Sequence, residues 1–543
     1  MREDIARCGR PVQRRMGLMN EPDWLETLVY TSQIIESFMA VEVVWFKKDL
    51  RTYDHSPLID ASKSGFKVLC LYVIEPERLE LDDVDPIHIE WELKNATELS
   101  KSLDEIGGSL HFAINDIIST LEKINSEHGI SRLLSHEETG NSWSYQRDKL
   151  VHDWCQNQGI DWIEHHTNGV IRKLDDRDLW KRKRDSRMQE NLYQPPKITN
   201  CVEFQGDVPT ADTLGIKPRK LTNYPTPGQS AAFSRLDSFL NEEAKQFQWA
   251  ISSPTLAVKH GSGLSPYLTV GAISMRRVVQ ATNVRMEYIR NNKGDIDGPT
   301  VWLKSLGSFR KRLAWRCHFI QKLEMEDNLD LVAQNPVIDA NLMRTLDENK
   351  FTRWKNGTTG WPFLDACMRQ LSSTGWINFR MRAMMMSAAS YNLWLPWRET
   401  GCHLARQFLD YEPGIHWSQV GMQSGTTGIN TIRAYSMTKQ GRDQDPEGDY
   451  IRKWVPELSM VPTKYIHEPW GMPIELQESI SCIIGQHYPM PILDDLESRK
   501  EGIKRSYAAR SSQESRDISK AVLKKHGSRS RPRKKRSTQK KLF

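Results

Sequence analysis

Val41-Glu42-Val43-Val44-Trp45-Phe46 is an unbroken run of mostly β-branched and aromatic residues, and Gly65-Phe66-Lys67-Val68-Leu69-Cys70-Leu71-Tyr72-Val73-Ile74 is a second. Residues 54–63, between them, have the length of a helix, and a further helical stretch at 88–104 ends at Gly107-Gly108. Shorter strand-like runs follow at 110–114, 132–135 and 160–164. Strands that alternate with helices predict an α/β domain with a doubly wound parallel sheet from about 41 to 172.

The remainder of the chain divides by composition. At about 150 residues per domain, the 543 residues are enough for two to four units. Residues 1–40 form an N-terminal extension, and a segment rich in Pro, Thr, Gly and Lys marks 173–227 as an interdomain linker. Residues 228–496 have a helical pattern and hold eleven of the eighteen tryptophans, at 249 to 470. We therefore predict an all-α second domain, built around either a bulky core or a flat aromatic cofactor.

Bulk composition narrows the class of protein. Hydrophobic residues make up 38% of the chain, the mean hydropathy is −0.60, and no apolar run approaches the roughly 20 residues of a membrane span. The first forty residues carry scattered charge, which argues against a secretory signal. The eight cysteines are far apart without a CxxC pair. We expect no disulfide framework, no metal module and no membrane partner, and a cytoplasmic location.

The C-terminal end is strongly basic. From Lys520 onward there are eleven Lys/Arg and no Asp/Glu. Such a segment has too little apolar surface to fold, so we predict a disordered tail over 497–543. It either holds nucleic acid through phosphate contacts or serves only solubility.

Several motifs resemble the cryptochrome/photolyase family. The N-terminal one is Val43-Val44-Trp45-Phe46-Lys47-Lys48-Asp49-Leu50-Arg51, and the longest is Asp445-Pro446-Glu447-Gly448-Asp449-Tyr450-Ile451-Arg452-Lys453-Trp454-Val455-Pro456-Glu457-Leu458. Ser372-Ser373-Thr374-Gly375-Trp376-Ile377-Asn378 and Phe408-Leu409-Asp410-Tyr411-Glu412-Pro413 lie between them in the family order. The resemblance spans about 41 to 475 and implies an antenna domain followed by an FAD-binding domain.

The resemblance also implies which residues contact the flavin. The loop Ser262-Gly263-Leu264-Ser265 falls at the family's phosphate loop, where small residues let backbone N–H groups approach a pyrophosphate. Arg382 and Asp410 match the ion pair beside the flavin ring, although a purely structural salt bridge would look the same in sequence. The remaining expected cofactor contacts are Trp376, Phe379 and Glu412.

The expected electron-transfer residues depart from the family pattern. His416 falls at the position that faces the flavin, where it either delivers a proton or only packs against Trp417. Trp397 matches the middle tryptophan of the relay, but Val420 and Arg344 stand at the proximal and distal positions. Either Trp417 replaces the proximal residue, or the electron takes another route, for which the candidates are Trp394, Tyr391 and Trp354.

The lesion pocket implied by the resemblance departs further. Trp315 matches a tryptophan that stacks on a flipped pyrimidine dimer, and Arg316 follows it. Arg312 stands where the family has glutamate, Met422 replaces the second stacking tryptophan, and Ala383 replaces a methionine. Phe379 and Ala383 occupy the positions of the histidine pair of (6-4) repair, which argues against that activity.

Two functions stay open on the sequence. The first is a monomeric, FAD-dependent photolyase that repairs cyclobutane pyrimidine dimers in DNA by electron transfer. The second is a cryptochrome-like blue-light photoreceptor that acts on a signalling partner. A light-independent oxidoreductase is disfavoured because the chain has no dinucleotide fingerprint. The antenna chromophore can be folate, deazaflavin or FMN, and His136-Glu137-Glu138 lies where some relatives contact folate.

Overall fold

The computed structural model describes residues 40–204 and 206–527. Within these ranges, five parallel strands form one sheet in the order β3-β2-β1-β4-β5. The strands are β1 (Val41–Phe46), β2 (Lys67–Ile74), β3 (Leu110–Ile114), β4 (Ile130–His136) and β5 (Asp161–His165). All six residues of β1 are buried, which explains why this strand is apolar nearly throughout instead of alternating.

Helices cover both faces of the sheet and complete the predicted doubly wound domain. They are α1 (Ser56–Ala61), α2 (Pro86–Asp104), α3 (Ile117–His128) and α4 (Ser142–Gln158). A side chain that accepts a backbone N–H precedes each helix, as in the capping of α2 by Asp85. The predicted α/β fold is confirmed, with boundaries that differ by a few residues.

The second domain is helical, as predicted. Its helices up to the flavin region are α6 (Gln229–Ser238), α7 (Phe247–Ala250), α8 (Pro254–His260), α9 (Ser265–Thr269), α10 (Met275–Asn291), α11 (Pro299–Met325), α12 (Pro336–Leu342), α13 (Glu348–Lys355) and α14 (Pro362–Thr374). Those that follow are α15 (Phe379–Ser387), α16 (Trp397–Gln407), α17 (Pro413–Ser424), α18 (Met437–Gln444), α19 (Asp449–Trp454) and α20 (Ile474–Ser479). Two π-helical turns, Phe239–Glu243 and Ala388–Asn392, interrupt this series.

The segment predicted as a linker contains regular structure of its own. A 3₁₀ turn (Arg177–Leu179) leads into helix α5 (Trp180–Arg187), which is anchored by the buried side chains of Trp180 and Arg184. Trp180 donates a hydrogen bond to the carbonyl of Gly169 at 3.0 Å. The boundary predicted at 172 is therefore too early, and the connection without helices begins after α5.

The expectation of a disordered tail from residue 497 was wrong for the part that the structure describes. Helices α21 (Asp495–Ala509) and α22 (Gln513–His526) pack on the domain. Gly502 lets α21 approach so closely that a Cβ there would lie 2.1 Å from the carbonyl oxygen of Tyr391. Val522 and His526 of α22 are buried. The high charge of this segment hid its amphipathic pattern in the sequence. Residues 1–39 and 528–543 lie outside the described residues.

The two domains are joined by buried hydrogen bonds. Trp91 of α2 donates to the carbonyl of Pro266 at 3.0 Å, and His88 Nε2 donates to the carbonyl of Phe408 at 2.9 Å. At Gly271, with φ of +69°, a Cβ would lie 2.0 Å from the carbonyl oxygen of Lys48. Only glycine fits this contact between the domains. Among the helices of the described residues, we find none with the length and apolarity needed to cross a membrane.

Candidate functional site

The predicted phosphate loop is a tight turn between α8 and α9. Gly263 has φ of +62°, and a Cβ there would lie 3.3 Å from the side chain of Arg235. Arg235 donates to the carbonyl of Ser262 at 2.8 Å, while Leu264 is buried and Ser265 begins α9. Sequence reasoning missed Arg235, whose guanidinium is paired with Glu243 and holds this loop through the carbonyl of Ser262.

Arg382 and Asp410 form the predicted ion pair. Nη2 of Arg382 donates to both carboxylate oxygens of Asp410 at 2.9 Å, and its Nε donates to the carbonyl of Ile377 at 2.8 Å. The guanidinium also lies over the ring of Phe408, 4.1 Å from the ring centroid. The carboxylate is buried and the arginine remains partly exposed, so the ion pair holds the positive charge of Arg382 in a fixed position.

Arg316, which was predicted as a substrate residue, is paired with Glu412, which was predicted as a cofactor contact. Arg316 Nη2 donates to Glu412 and to the carbonyl of Leu268. Burial raises the pKa of Glu412, and the Arg316 guanidinium opposes this effect. Consecutive helical residues point about 100° apart. Trp315 is exposed on α11, so the adjacent Arg316 turns into the domain.

Phe379, which was predicted as a cofactor contact, is partly exposed and lies beside Arg312. Its ring is 40% exposed, and Arg312 lies between it and Trp315, with the guanidinium carbon 5.6 Å and 4.4 Å from the two ring centroids. Burial and the neighbouring Arg380 guanidinium both lower the pKa of Arg312. Neither Arg312 nor Arg380 forms an ion pair with a carboxylate of the described residues. We call Arg312, Trp315, Phe379 and Arg380 the arginine–aromatic patch.

Of the substituted pocket residues, Ala383 is buried and Met422 is half-buried. Ala383 is buried on α15 one turn beyond Phe379. Met422, expected at a stacking position, lies on α17 with its sulfur 4.0 Å from the Nζ of Lys322. Burial and the Arg177 guanidinium lower the pKa of Lys322 to about 8. The second stacking surface is thus replaced by a thioether beside a buried amine.

Trp397 and Trp417 are in contact, as expected if Trp417 takes the proximal place. Their rings meet edge to face, with centroids 5.9 Å apart. Trp417 also contacts His416, with centroids 5.0 Å apart. Trp397 donates to Asp339 on α12 at 3.0 Å. The side chain of Val420 is buried, and Arg344 lies over the ring of Trp394 at 4.8 Å, so neither supplies an aromatic relay.

His416 is a buried, neutral residue. Its Nε2 donates to the carbonyl of Gly401 at 2.9 Å, and burial lowers its pKa to about 3. The rings of Phe408, Tyr411 and Trp417 surround it. A neutral imidazole whose N–H is already donated holds no spare proton, so the geometry favours the packing alternative over the proton donor.

A cavity opens between the two domains at the carboxyl end of the sheet. Aromatic and charged side chains line it, including Trp45, Lys48, Trp143, Tyr411 and Glu412. It is also lined by His136, Glu137 and Glu138, which lie where some relatives contact folate. His136 Nδ1 and His55 Nε2 both donate to Asp49 Oδ2, at 2.7 and 2.9 Å. The three buried side chains of Asp49, His55 and His136 are thus held in place by hydrogen bonds to one another.

Known proteins match both domains. The family model described as DNA photolyase matches residues 42–191, and the one described as the FAD binding domain of DNA photolyase matches 309–508. The deoxyribodipyrimidine photo-lyase of Vibrio cholerae is 28% identical over 483 residues, covering 85% of this chain and 98% of its own. Cryptochrome-2 of Arabidopsis thaliana is 27% identical over 488 residues, covering 83% and 76%.

The chain belongs to the cryptochrome/photolyase family. A bacterial class III photolyase from Agrobacterium tumefaciens superposes with a TM-score of 0.76 at 25% identity, covering 87% of this chain and 98% of its own. The Synechocystis cryptochrome has the same fold, with a TM-score of 0.75 at 21% identity and coverage of 86% and 99%. Photolyases and cryptochromes thus both lie among the relatives of this family member.

FAD is the cofactor of this cryptochrome/photolyase family domain, and the residues present fit it. Nε of Arg316 and Oδ1 of Asn378 are buried without a hydrogen-bond partner among the described residues, and they are suited to the polar edges of a flavin. The predicted contacts remain Ser262–Ser265, Trp376, Phe379, Arg382, Asp410 and Glu412.

Proposed function

We propose that the protein is a blue-light-driven deoxyribodipyrimidine photolyase that repairs cyclobutane pyrimidine dimers in DNA. The observation that carries the proposal is the arginine–aromatic patch. Trp315 is 47% exposed and offers a flat face to a base. Arg312 and Arg380 have no carboxylate partner within the described chain, so both are free to contact phosphate or base oxygens. Stacking beside positive charge is how proteins hold unpaired bases.

Different residues of the chain have different roles in the proposed reaction. Trp315 and Phe379 provide stacking surfaces for a base that has left the duplex, and the two arginines of the patch hold the strand. Arg382, fixed by Asp410, keeps a positive charge where flavin charge develops. When bound, FAD supplies the light-driven electron that splits the cyclobutane ring. His416 and the rings around it exclude water from this region.

The test is repair of thymine-dimer DNA by the purified protein, with its flavin reduced by dithionite beforehand. Blue light should restore undamaged thymines, and a dark sample should not. An Arg312→Glu variant restores the family residue and tests whether arginine is compatible with dimer binding. A wild-type protein that binds FAD but neither binds nor repairs dimers in single- or double-stranded DNA would contradict the proposal.

A cryptochrome-like photoreceptor is the second candidate, favoured by one contact. Asp339, the hydrogen-bond partner of Trp397, lies on α12, which packs against the C-terminal helices α21 and α22. A change of charge at Trp397 would therefore alter the electrostatic potential at Asp339, next to the C-terminal helices. A signalling partner can bind these helices. Light-dependent protease cleavage within 495–527, together with absence of repair, would select this candidate.

We further propose that the interdomain cavity binds an antenna chromophore, which can be folate, deazaflavin or FMN. The support is the mixture of aromatic and charged lining side chains, such as Trp143, Glu138 and Arg147. Mass spectrometry of the molecules released on denaturation tests this. A monomeric state and a cytoplasmic location stay predictions, to be tested by sedimentation and by fractionation.

A further inference from the structure

Tyr411 occupies the centre of a short hydrogen-bonded chain that crosses the two domains. Trp417 Nε1 lies 2.9 Å from the Tyr411 hydroxyl, which lies 2.5 Å from Oδ2 of Asp83. All three side chains are buried. Asp83 belongs to the N-terminal domain, 328 residues before Tyr411 along the chain.

The direction of each hydrogen bond follows from the chemistry of the groups. An indole N–H can only donate, so the oxygen of Tyr411 accepts from Trp417. The phenolic hydrogen is then free to point only at Asp83, whose carboxylate accepts it. Burial and the Asp83 charge raise the pKa of Tyr411 well above its usual range, so the resting phenol keeps its proton.

The groups around Tyr411 and Asp83 hold this short proton pathway in place. Asn141 Nδ2 donates to both oxygens of Asp83, at 3.1 and 3.2 Å, and so fixes the carboxylate. His88 stacks on the Tyr411 ring with centroids 5.6 Å apart, and burial lowers its pKa to about 4. His416, on the other side, is also neutral. Asp83 is therefore the base in direct contact with the phenol.

We propose that Tyr411 is the electron donor to Trp417 and that Asp83 accepts its proton. The inference rests on the FAD of the proposed function, which when bound in its oxidised form would supply, under blue light, the one-electron oxidant of Trp417. Tyr411 then gives one electron to the Trp417 radical cation, while its O–H bond breaks and the proton moves to Oδ2 of Asp83. The products are neutral Trp417, a neutral tyrosyl radical and a protonated Asp83 carboxyl. Return of the electron and the proton restores the resting state.

This assignment explains how photoreduction can proceed when Val420 and Arg344 occupy two relay positions. Trp397 also contacts Trp417, but a hole on Trp397 stays a charged radical unless its own N–H proton leaves to Asp339. Oxidation of Tyr411 needs no separate proton acceptor beyond the carboxylate it already contacts. The tyrosyl radical is neutral, which removes the attraction that would return the electron.

The test is electron paramagnetic resonance of the full-length holoprotein, illuminated with blue light and frozen. Wild-type protein should show a neutral tyrosyl radical that narrows when ring-deuterated tyrosine is incorporated, and D₂O should slow its formation. Tyr411→Phe and Asp83→Asn should lose this signal and leave a tryptophan radical. FAD absorbance checks that each variant remains loaded, and the isotope results on the wild type stand even if a variant fails to fold.

Tyr488→Phe is the matched control. Tyr488 is also buried and donates to a carboxylate, Asp365, at 2.6 Å, but the structure records no tryptophan donating to its hydroxyl within the described residues. This variant should keep the tyrosyl signal. A wild type without a tyrosyl radical, or a signal that persists in Tyr411→Phe, would overturn the inference. Dimer repair by chemically reduced wild-type protein involves no step at Tyr411, so its outcome judges the proposed function separately.

Discussion

The rings of Trp397 and Trp417 meet edge to face at an interplanar angle of 84°, and their two indole N–H groups donate in different directions. Trp397 donates to Asp339 in the helical domain, and Trp417 donates to Tyr411 at the domain boundary. Trp417 thus contacts two possible electron donors, Trp397 and Tyr411. The contact supports the prediction that it replaces the missing proximal tryptophan.

Removing Trp417 should slow flavin photoreduction more than removing Trp397. In Trp417→Phe, both Trp397 and Tyr411 lose the neighbour to which they would donate an electron. Trp397→Phe removes only one of these two donors, and Tyr411 remains. The rate of flavin bleaching under blue light with an external reductant measures this. Trp361→Phe, which alters another buried tryptophan of the domain, serves as the control. Equal rates in all three variants and the wild type would mean that the electron enters elsewhere.

Asp410→Asn should destabilise the protein and weaken FAD retention, because Arg382 loses its buried counter-charge. Removing one partner of a buried pair typically costs about 3–5 kcal/mol, and the partial exposure of Arg382 favours the lower end of this range. Glu457→Gln breaks the more exposed pair with Arg369 and should cost about 1 kcal/mol or less. Urea denaturation and flavin content measure both. Equal losses of stability and of flavin in the two variants would contradict a role of Asp410 in FAD binding.

Trp315→Ala should reduce the preference for dimer-containing over undamaged DNA. Base stacking is typically worth about 1–3 kcal/mol, which at about 1.4 kcal/mol per decade is roughly ten- to hundredfold. Trp249→Ala is a fair control, since Trp249 is similarly exposed and lies beside Lys304, about 16 Å along α11 from Trp315. Competition binding measures the preference. A wild type without any preference would defeat the repair hypothesis and point to Arg312 and Met422 as the cause.

Buried His416 should make the protein less stable as the pH falls. The imidazole ordinarily titrates near 6.5 and here near 3, so between these values the unfolded chain binds the extra proton. The contribution is complete above about pH 6.5 and is lost on acidification, at about 1.4 kcal/mol per pH unit for one proton. His416→Asn should reduce the pH dependence seen by urea denaturation between pH 7 and 5, to which His88 and other buried histidines also contribute, and His152→Asn, on an exposed part of α4, should not.

Truncation after Gly527 should leave stability unchanged and weaken DNA binding. It removes eight Lys/Arg residues, and each phosphate that is no longer neutralised should lower the salt slope of log K by about 0.9 on duplex DNA. Truncation after Lys520 should also destabilise the fold by about 2 kcal/mol or more, because it removes the buried side chains of Val522 and His526. Replacing the eight basic residues with Gln separates charge from length. An unchanged affinity and salt slope would leave the tail a solubility device.

The sheet, the order of the domains and the family follow from the sequence alone. Apolar runs such as Val41–Phe46 encode buried parallel strands locally, and the motifs around Asp410 and Asp445 are contiguous, so no tertiary information was needed. The segment after 497 was misjudged, because charge counted over a window hides a narrow buried stripe such as that of Val522 and His526.

The protonation and the pairing of the site residues depend instead on the tertiary structure. The pKa of His416 depends on burial among rings from neighbouring segments. The burial of Arg316 against Glu412 and the exposure of Phe379 depend on which face of each helix the domain covers. The chain Trp417–Tyr411–Asp83 joins residues of two domains. Hydrogen bonds and desolvation act through space at a few ångströms, and sequence spacing carries no record of them.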